Sequence, residues 1–262
     1  MIKKTIGVVG GMGPMAGVAL VEKITRNTPA HKDQEHFSVI LVSNPMIIDR
    51  TQFLEGEVDE NPAYQISESI AQLAKCGADV VGIACNTSYS SAIYDVLCEE
   101  LKRRDIKVNV LDLPGETYEE LRKHGENVRK VGIMATNGTY KSRVYESILT
   151  SNGYEVVLPD VNFQETIIHQ IIYNSDYGIK SHPEWVSDEA RKKFIQALNF
   201  FKIKGADAII LACSELSFPF KEIYPTDLLI IDPMECMARA LIREASGKNA
   251  EKESLEPSME TT

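Results

Sequence analysis

An internal repeat is the feature that most constrains how this chain can fold. Residues 77–85 read GADVVGIAC, and residues 205–213, which lie 128 positions later, read GADAIILAC. Two weaker echoes occur in the same order at nearly the same spacing: IGVVGGMG at 6–13 with VGIMATNG at 131–138, and VLDLP at 110–114 with IIDPM at 230–234. The pattern predicts duplication of a half of roughly 125 residues, a typical size for a small domain.

Short runs rich in Val and Ile alternate along the chain with longer amphipathic segments. The runs predict β-strands at residues 5–10, 37–43, 79–84, 107–111, 130–135, 155–158, 207–212 and 228–231. The segments of helical length include residues 14–27, 62–75, 90–103, 141–151 and 188–204. Strands that are apolar throughout are typical of parallel sheets covered by helices on both faces. The sequence therefore predicts an α/β fold of two pseudo-symmetric domains, each a mainly parallel sheet flanked by helices.

The third echo places the domain boundaries. Its two segments end equivalent strands, so we expect the chain to cross between the halves at each of them. This predicts a first domain of residues 1–113 plus 226–246, to which the last strand and helix return, and a second domain of residues 114–225. Residues 247–262 are polar and nearly free of bulky apolar groups, which predicts a disordered tail.

The composition excludes several classes of partner and site. Lys and Arg number 28 against 38 Asp and Glu, and the net charge of −10 disfavours nucleic acid and anionic membrane surfaces. No stretch approaches the roughly 20 apolar residues of a membrane span. The first residues lack the apolar core of a secretory signal, and the five cysteines contain no CxxC pair that would suggest a zinc site. These observations predict a cytoplasmic protein without a metal.

Cys85 and Cys213 occupy the same place in the two repeats, each at the end of a buried strand. Ligands of open α/β sheets bind at the carboxyl ends of strands. If the halves pair about a pseudo-twofold axis, the two sulfurs flank one small ligand. Inversion of a stereocentre needs such a pair, because one group removes a proton and another returns it to the opposite face, and a thiol pKa of about 8.5 suits both tasks. A disulfide between the two is the redox alternative.

Several motifs resemble the aspartate/glutamate racemase superfamily, most closely its aspartate racemases, which work without pyridoxal phosphate. The motifs are ACNTS at 84–88, ACSEL at 212–216, GVVGGMGP at 7–14, SNPMIIDRT at 43–51 and GIMATNGTYKSRVY at 132–145, so the resemblance covers most of residues 5–235. It implies two similar α/β halves with the active site in the cleft between them, a small amino-acid substrate and no cofactor. Members are often dimers, so a homodimer is expected.

The resemblance also assigns roles to individual residues. It implies that Cys85 and Cys213 are the two catalytic thiols. The remaining site residues that it implies are Asn86 and Thr87 for the substrate α-carboxylate, Thr136, Asn137 and Ser214 to complete that clamp, Met12 to line the pocket, and Arg50 to hold a side-chain carboxylate.

Departures from the family pattern bear on specificity. Glutamate racemases carry an acid in the first glycine loop and a His two residues after the second Cys, where this chain has GGMGP and Glu215. Aspartate racemases hold the side-chain carboxylate with a further Lys, and Thr166 stands where that Lys is expected. His169 on the same segment is an alternative. The predicted pocket therefore has one cation fewer, and strict aspartate specificity is left open.

Glu215 is also expected to favour the protonated form of Cys213 if it lies near the sulfur, which would make the two thiols unequal. The other cysteines, Cys76, Cys98 and Cys236, are expected to pack in the core as small apolar groups.

Two other functions remain open at this stage, and a third is disfavoured. Related proteins isomerise or decarboxylate small dicarboxylates, some with only one of the two Cys positions, whereas retention of both favours racemisation. A non-catalytic amino-acid-binding module is the alternative without chemistry. A dinucleotide site at the glycine-rich loop is disfavoured, because the next strand ends in Val42, Ser43 and Asn44 without the acid that such sites need.

Overall fold

The computed structural model describes residues 3–182, 184–217 and 227–247 of the chain. The strands in these ranges are β1 (Ile6–Gly10), β2 (Val39–Ser43), β3 (Val80–Ile83), β4 (Asn109–Val110), β5 (Lys130–Ala135), β6 (Glu155–Val157), β7 (Ala208–Ala212) and β8 (Leu229–Ile231). The helices are α1 (Pro14–Asn27), α2 (Arg50–Glu55), α3 (Ala63–Lys75), α4 (Ser91–Arg103), α5 (Leu113–Arg122), α6 (Asn137–Ser142), α7 (Val144–Ser151), α8 (Val161–Phe163), α9 (His169–Tyr173), α10 (Asp188–Ile203) and α11 (Pro233–Ala245).

Shorter helical turns complete the described part of the chain. Turns of 3₁₀ type lie at Asp33–Glu35, Asn86–Tyr89, Gly125–Asn127 and Ser214–Leu216, and a π-helical turn at Gln164–Ile168 joins α8 to α9. Within the described ranges, no helix has both the length and the apolar character needed to cross a membrane.

The strands form two parallel sheets of the same order, β2-β1-β3-β4 and β6-β5-β7-β8. Every predicted strand occurs, with ends that differ from the prediction by at most two residues. The predicted α/β class and the two repeated halves are confirmed. The central strands β1, β3 and β7 bury every residue, because helices cover both faces of each sheet.

The last strand and the last helix lie in different halves. β8 pairs in parallel with β7, so the prediction that it returns to the first domain is wrong. Only α11 returns: Met237 and Leu241 pack into the core of the first half. The chain therefore crosses after β8, at Asp232, rather than at residue 226. β8 is the edge strand of the second sheet and pairs with β7. The chain therefore leaves the second half only where α11 begins.

The first crossing between the halves also occurs along a helix, α5, which leads from the first half into the second. α5 begins with Leu113 in the core of the first half and buries Leu121 in a core of the second half. The other predicted boundaries stay predictions. The predicted tail, residues 247–262, lies outside the described residues apart from Gly247.

The described cysteines are all free thiols, but they differ in exposure. Cys236 is buried and Cys98 is half-buried, as expected of packing residues. Cys76 is exposed at the end of α3, so the prediction that it packs in the core is wrong. α3 ends at Lys75, and Cys76 follows as its C-cap with the thiol on the solvent side.

Gly11 shapes the turn from β1 into α1. Its φ of +95° is in the region that favours glycine. A Cβ at this position would lie 2.3 Å from the backbone oxygen of Asn44, the residue after β2. The glycine-rich loop therefore lies directly against the neighbouring strand end, and this contact positions Met12, the next residue along the chain.

Gly138 determines how closely the two halves approach each other. It lies on α6 in the second half, and a Cβ there would lie 2.8 Å from Thr51 Oγ1 and 2.9 Å from Thr87 Cγ2, both in the first half. The Thr51 Cα would be 3.0 Å away, so movement of a side chain alone would not make room. A glycine is required for this close approach.

We predict that Gly138→Ala destabilises the protein by about 1–3 kcal/mol, the usual cost of overpacking. Helix propensity alone predicts the opposite sign, since Ala is favoured over Gly by about 1 kcal/mol within a helix. Urea unfolding measures the difference, with Ser142→Ala on the same helix as the control. A gain in stability for Gly138→Ala would contradict the tight contact between the halves.

Candidate active site

One small cavity brings both repeat cysteines together. It encloses about 240 Å³, the space at its mouth included. Its wall is formed by Met12, Arg50, Cys85, Asn86, Thr87, Thr136, Tyr173, Lys180, Cys213, Ser214 and Glu215.

The topology of the sheets explains why these residues converge. In the order β2-β1-β3-β4, the strand order reverses between β1 and β3, and the crevice at such a reversal is where open α/β sheets bind ligands. Met12 follows β1 and Cys85 follows β3. In the second sheet Thr136 follows β5 and Cys213 follows β7, at the equivalent reversal. The two crevices open into the same cavity.

Of the nine site residues predicted from the sequence, all but Asn137 line this cavity. Asn137 is buried beside Thr136, but its Oδ1 accepts a hydrogen bond from Gln164 Nε2 at 3.1 Å. Its backbone N–H donates to His169 Nδ1 at 3.3 Å. The structure thus places Asn137 behind the wall, in contact with the helix that supports it.

Cys213 lies beside a buried carboxylate. Its thiol donates to Glu215 Oε2 at 3.1 Å, and the hydroxyl of Ser214 donates to the same oxygen at 3.1 Å. The other oxygen, Oε1, accepts from Lys180 Nζ at 2.5 Å and from the backbone N–H of Gly13 at 3.2 Å. Glu215 is only 4% exposed, so its charge needs these partners. The expectation that Glu215 lies near the sulfur agrees with this geometry.

The charges of this group determine its protonation. Burial and the negative charge of Glu215 raise the pKa of Cys213 well above its ordinary value, and Lys180 only partly opposes them. Burial would raise the pKa of Glu215, but Lys180 outweighs it and holds that pKa at about 2. Burial would lower the pKa of Lys180, but Glu215 outweighs it and raises that pKa. Near neutral pH the group therefore consists of a thiol, a carboxylate and an ammonium.

Cys85 has a cation as its neighbour. Arg50 is 7% exposed at the start of α2, and its Nη1 donates to the carbonyl of Ile48 at 2.9 Å. Burial would lower the pKa of Arg50, but attraction to Cys85, Asp49 and Tyr173 outweighs it and raises that pKa. The guanidinium Nε has no hydrogen-bond partner among the described residues. The two repeat cysteines thus sit in opposite electrostatic surroundings.

Lys180 and Tyr173 are site residues that the sequence analysis missed. Lys180 lies on the segment after α9, where its backbone N–H donates to the carbonyl of Ile172 at 3.1 Å. Its ammonium lies 5.3 Å from the centre of the Tyr173 ring. The hydroxyl of Tyr173 donates to Asp49 Oδ2 at 3.1 Å, which joins α9 to the start of α2. The turn-forming residues NSDYG lie between Tyr173 and Lys180 in the sequence, and they are the signal that could have indicated a turn back to the site.

The prediction of one cation fewer is wrong. Thr166 is exposed and donates its hydroxyl to the Asn162 carbonyl at 2.7 Å, outside the cavity. Lys180 supplies the second cation from a turn that leads back to the site. His169 stacks on the Tyr173 ring and does not line the cavity. Arg50 and Lys180 against Glu215 leave a net charge of +1 on the wall, which favours an anionic ligand.

The fold and this site define a class of isomerase in which a cleft between two similar α/β halves holds a pair of thiols. The family model for Asp/Glu/hydantoin racemase matches residues 9–241. The chain belongs to this family.

Known relatives agree with the assignment. The structure of the aspartate racemase of Picrophilus torridus is similar, with a TM-score of 0.75, 30% identity, and coverage of 93% of this chain and 94% of that one. The broad specificity amino-acid racemase RacX of Bacillus subtilis (strain 168) is 23% identical over 244 residues, which are 90% of this chain and 96% of RacX. Glutamate racemase isoform RacE1 from Bacillus anthracis shares the fold, with a TM-score of 0.63, 20% identity, and coverage of 95% of this chain and 84% of that one.

These comparisons confirm the family, the fold class and the enzyme class, since the relatives are amino-acid racemases. The roles of individual residues, the homodimer and the cytoplasmic location stay predictions.

We predict that the two cysteines react differently with a small alkylating reagent. In Cys85→Ala, alkylation of Cys213 should begin only at a pH well above that of an ordinary cysteine, because burial and Glu215 disfavour its thiolate. Adding Glu215→Gln should move the Cys213 profile to lower pH. Peptide mass spectrometry distinguishes these sites from the exposed Cys76. Identical profiles for Cys213 in Cys85→Ala and Cys85 in Cys213→Ala would contradict the asymmetry.

Proposed function

We propose that the protein racemises a small amino acid, with Cys85 and Cys213 as opposed acid and base and without a cofactor. The observation that carries the proposal is the cavity itself, in which one thiol lies beside a cation and the other beside an anion. A thiolate and a thiol are the two states that a two-base inversion needs at the start of a turnover.

In the proposed mechanism Cys85 is the base. Its sulfur, in the thiolate form, takes the proton from Cα, and the electron pair stays on the substrate and spreads into its α-carboxylate. Cys213, held as a thiol by Glu215, then donates its proton to the opposite face of Cα. The turnover ends with Cys85 as thiol and Cys213 as thiolate. The opposite enantiomer reacts from that form, and proton exchange with solvent restores the first one.

The α-carboxylate carries the charge that develops during this step. We propose that Asn86, Thr87, Thr136 and Ser214 bind it, as the cavity wall allows. The hydroxyls of Thr87 and Thr136 lie 3.2 Å apart, so the two halves would hold the carboxylate together. Donors fixed in a small, water-poor cavity stabilise developing charge more strongly than donors in water.

We propose acidic amino acids, with aspartate first, as the preferred substrates. Arg50 and Lys180 give the wall a net positive charge, and the Picrophilus torridus relative is an aspartate racemase. Lys180 already pairs with Glu215, so a side-chain carboxylate would share this ammonium rather than meet it free. Because this pairing already neutralises part of the Lys180 charge, we expect neutral amino acids to react as well, but more slowly. Such a range of substrates would agree with the broad specificity of RacX.

We expect the wild-type protein to incorporate deuterium at Cα and to form the opposite enantiomer when amino acids are incubated in deuterated water. Cys85→Ser and Cys213→Ser should each lower inversion by at least about 10³-fold, because catalytic groups that act as a unit fail together. Each variant should still exchange Cα hydrogen of one enantiomer through its remaining thiol. NMR and chiral chromatography measure the two processes.

Cys76→Ser, which changes an exposed thiol outside the cavity, is the matched control and should keep full activity. Carbon dioxide release without inversion would indicate a decarboxylase instead. Binding with no exchange for any aspartate, glutamate or neutral amino acid would indicate a non-catalytic module.

We further predict that Lys180→Met changes specificity. The ratio of kcat/KM for aspartate to that for alanine should fall by about 10- to 100-fold, the effect of losing one hydrogen bond between charged groups. A ratio within one variant cancels any loss of folded protein. Lys193→Met, whose ammonium lies near the Tyr177 ring outside the cavity, is the control. An unchanged ratio in Lys180→Met would show that Lys180 serves only Glu215.

A further inference from the structure

Tyr145 makes a contact across the two halves that the proposed chemistry does not use. It lies on α7 in the second half, and its hydroxyl donates to Asn86 Oδ1, in the first half, at 2.5 Å. Both residues are 2% exposed. The phenol is a reliable donor, because burial raises its pKa well above the ordinary value and keeps it protonated.

This contact fixes which way the Asn86 amide faces. The amide has one oxygen that accepts and one NH₂ group that donates. A separation of 2.5 Å lies at the short end of the range for an O–H donor with an oxygen acceptor and below the range for an N–H donor. With the oxygen held by Tyr145, the NH₂ group is the end left for a ligand.

The NH₂ group of Asn86 is buried and unpartnered among the described residues, as expected of a group that donates to a ligand. Asn86 lines the cavity, and its Nδ2 is buried without a hydrogen-bond partner among the described residues. A buried donor with no partner costs about 1–3 kcal/mol. An anionic oxygen in the cavity would remove that cost.

We propose that Tyr145 is a positioning residue that turns the Asn86 amide so that its NH₂ group donates to the substrate α-carboxylate. The inference rests on the proposed function, which supplies that carboxylate. A reversed amide would present its oxygen to the carboxylate and repel it. Because Tyr145 comes from the second half and Asn86 from the first, the direction of this donor depends on a contact between the halves.

Steady-state kinetics of Tyr145→Phe test the proposal. We expect KM for the preferred substrate to rise about 10-fold or more, with a smaller effect on kcat and no change in the pH profile, since neither thiol is touched. Tyr89→Phe is the matched control. Tyr89 is buried in the same 3₁₀ turn as Asn86, but its hydroxyl donates to the Leu111 carbonyl at 2.9 Å, away from the cavity. It should lose comparable stability and keep its KM.

A double-mutant cycle separates positioning from general destabilisation. In an Asn86→Ala background, Tyr145→Phe should raise KM no further, because the group that it orients is gone. A KM in Tyr145→Phe equal to that in Tyr89→Phe, or an equal effect with and without Asn86, would overturn the proposal.

Asn86→Asp provides a second test if Tyr145→Phe does not fold. Aspartate keeps an acceptor for Tyr145 and the same shape but has no NH₂ group, so KM should rise at least as much at neutral pH. A normal KM would overturn the proposal. Failure of the wild-type protein to racemise any amino acid would remove the proposed function together with this inference. An active wild-type enzyme with an unaffected Tyr145→Phe would remove this inference alone.

Discussion

The buried carboxylate of Glu215 is the interaction on which the rest of the site depends. It accepts from the Gly13 backbone after β1, from Lys180 after α9 and from the Cys213 thiol after β7. A buried charge is tolerated only when it is paired and hydrogen-bonded, so these three segments must meet at one point. The same carboxylate therefore joins the glycine loop of one half to the cysteine of the other, and together with burial it raises the pKa of that cysteine.

A pseudo-symmetric scaffold here carries an asymmetric site. The two sheets have one strand order, and the same strand end delivers Cys85 and Cys213. The difference between them is the charge beside each sulfur, a guanidinium from Arg50 and a carboxylate from Glu215. In the proposed mechanism, symmetry provides the two opposed faces, and burial together with Glu215 keeps the group on one face a protonated thiol.

Contacts between the halves complete the site. Gly138 allows α6 to touch Thr51 and Thr87, and the hydroxyl of Thr87 reaches those of the second half. Tyr145 crosses in the same direction to hold Asn86. The groups that we propose to bind a carboxylate are therefore oriented by residues of the opposite half.

The sequence by itself determined the strands, the repeat and the positions of both cysteines. Burial on both faces of a parallel sheet leaves a local apolar pattern, and the end of each strand then places the next residue at the edge of the sheet. The sequence also located eight of the nine predicted residues at the cavity. It did not show that Lys180 supplies a second cation to the cavity wall, that β8 stays in the second sheet, or that Tyr145 donates to Asn86. These depend on turns and on packing between segments far apart in the chain. The local pattern of apolar residues does not indicate which side chains meet across a cleft. Only the tertiary structure therefore decided these three features.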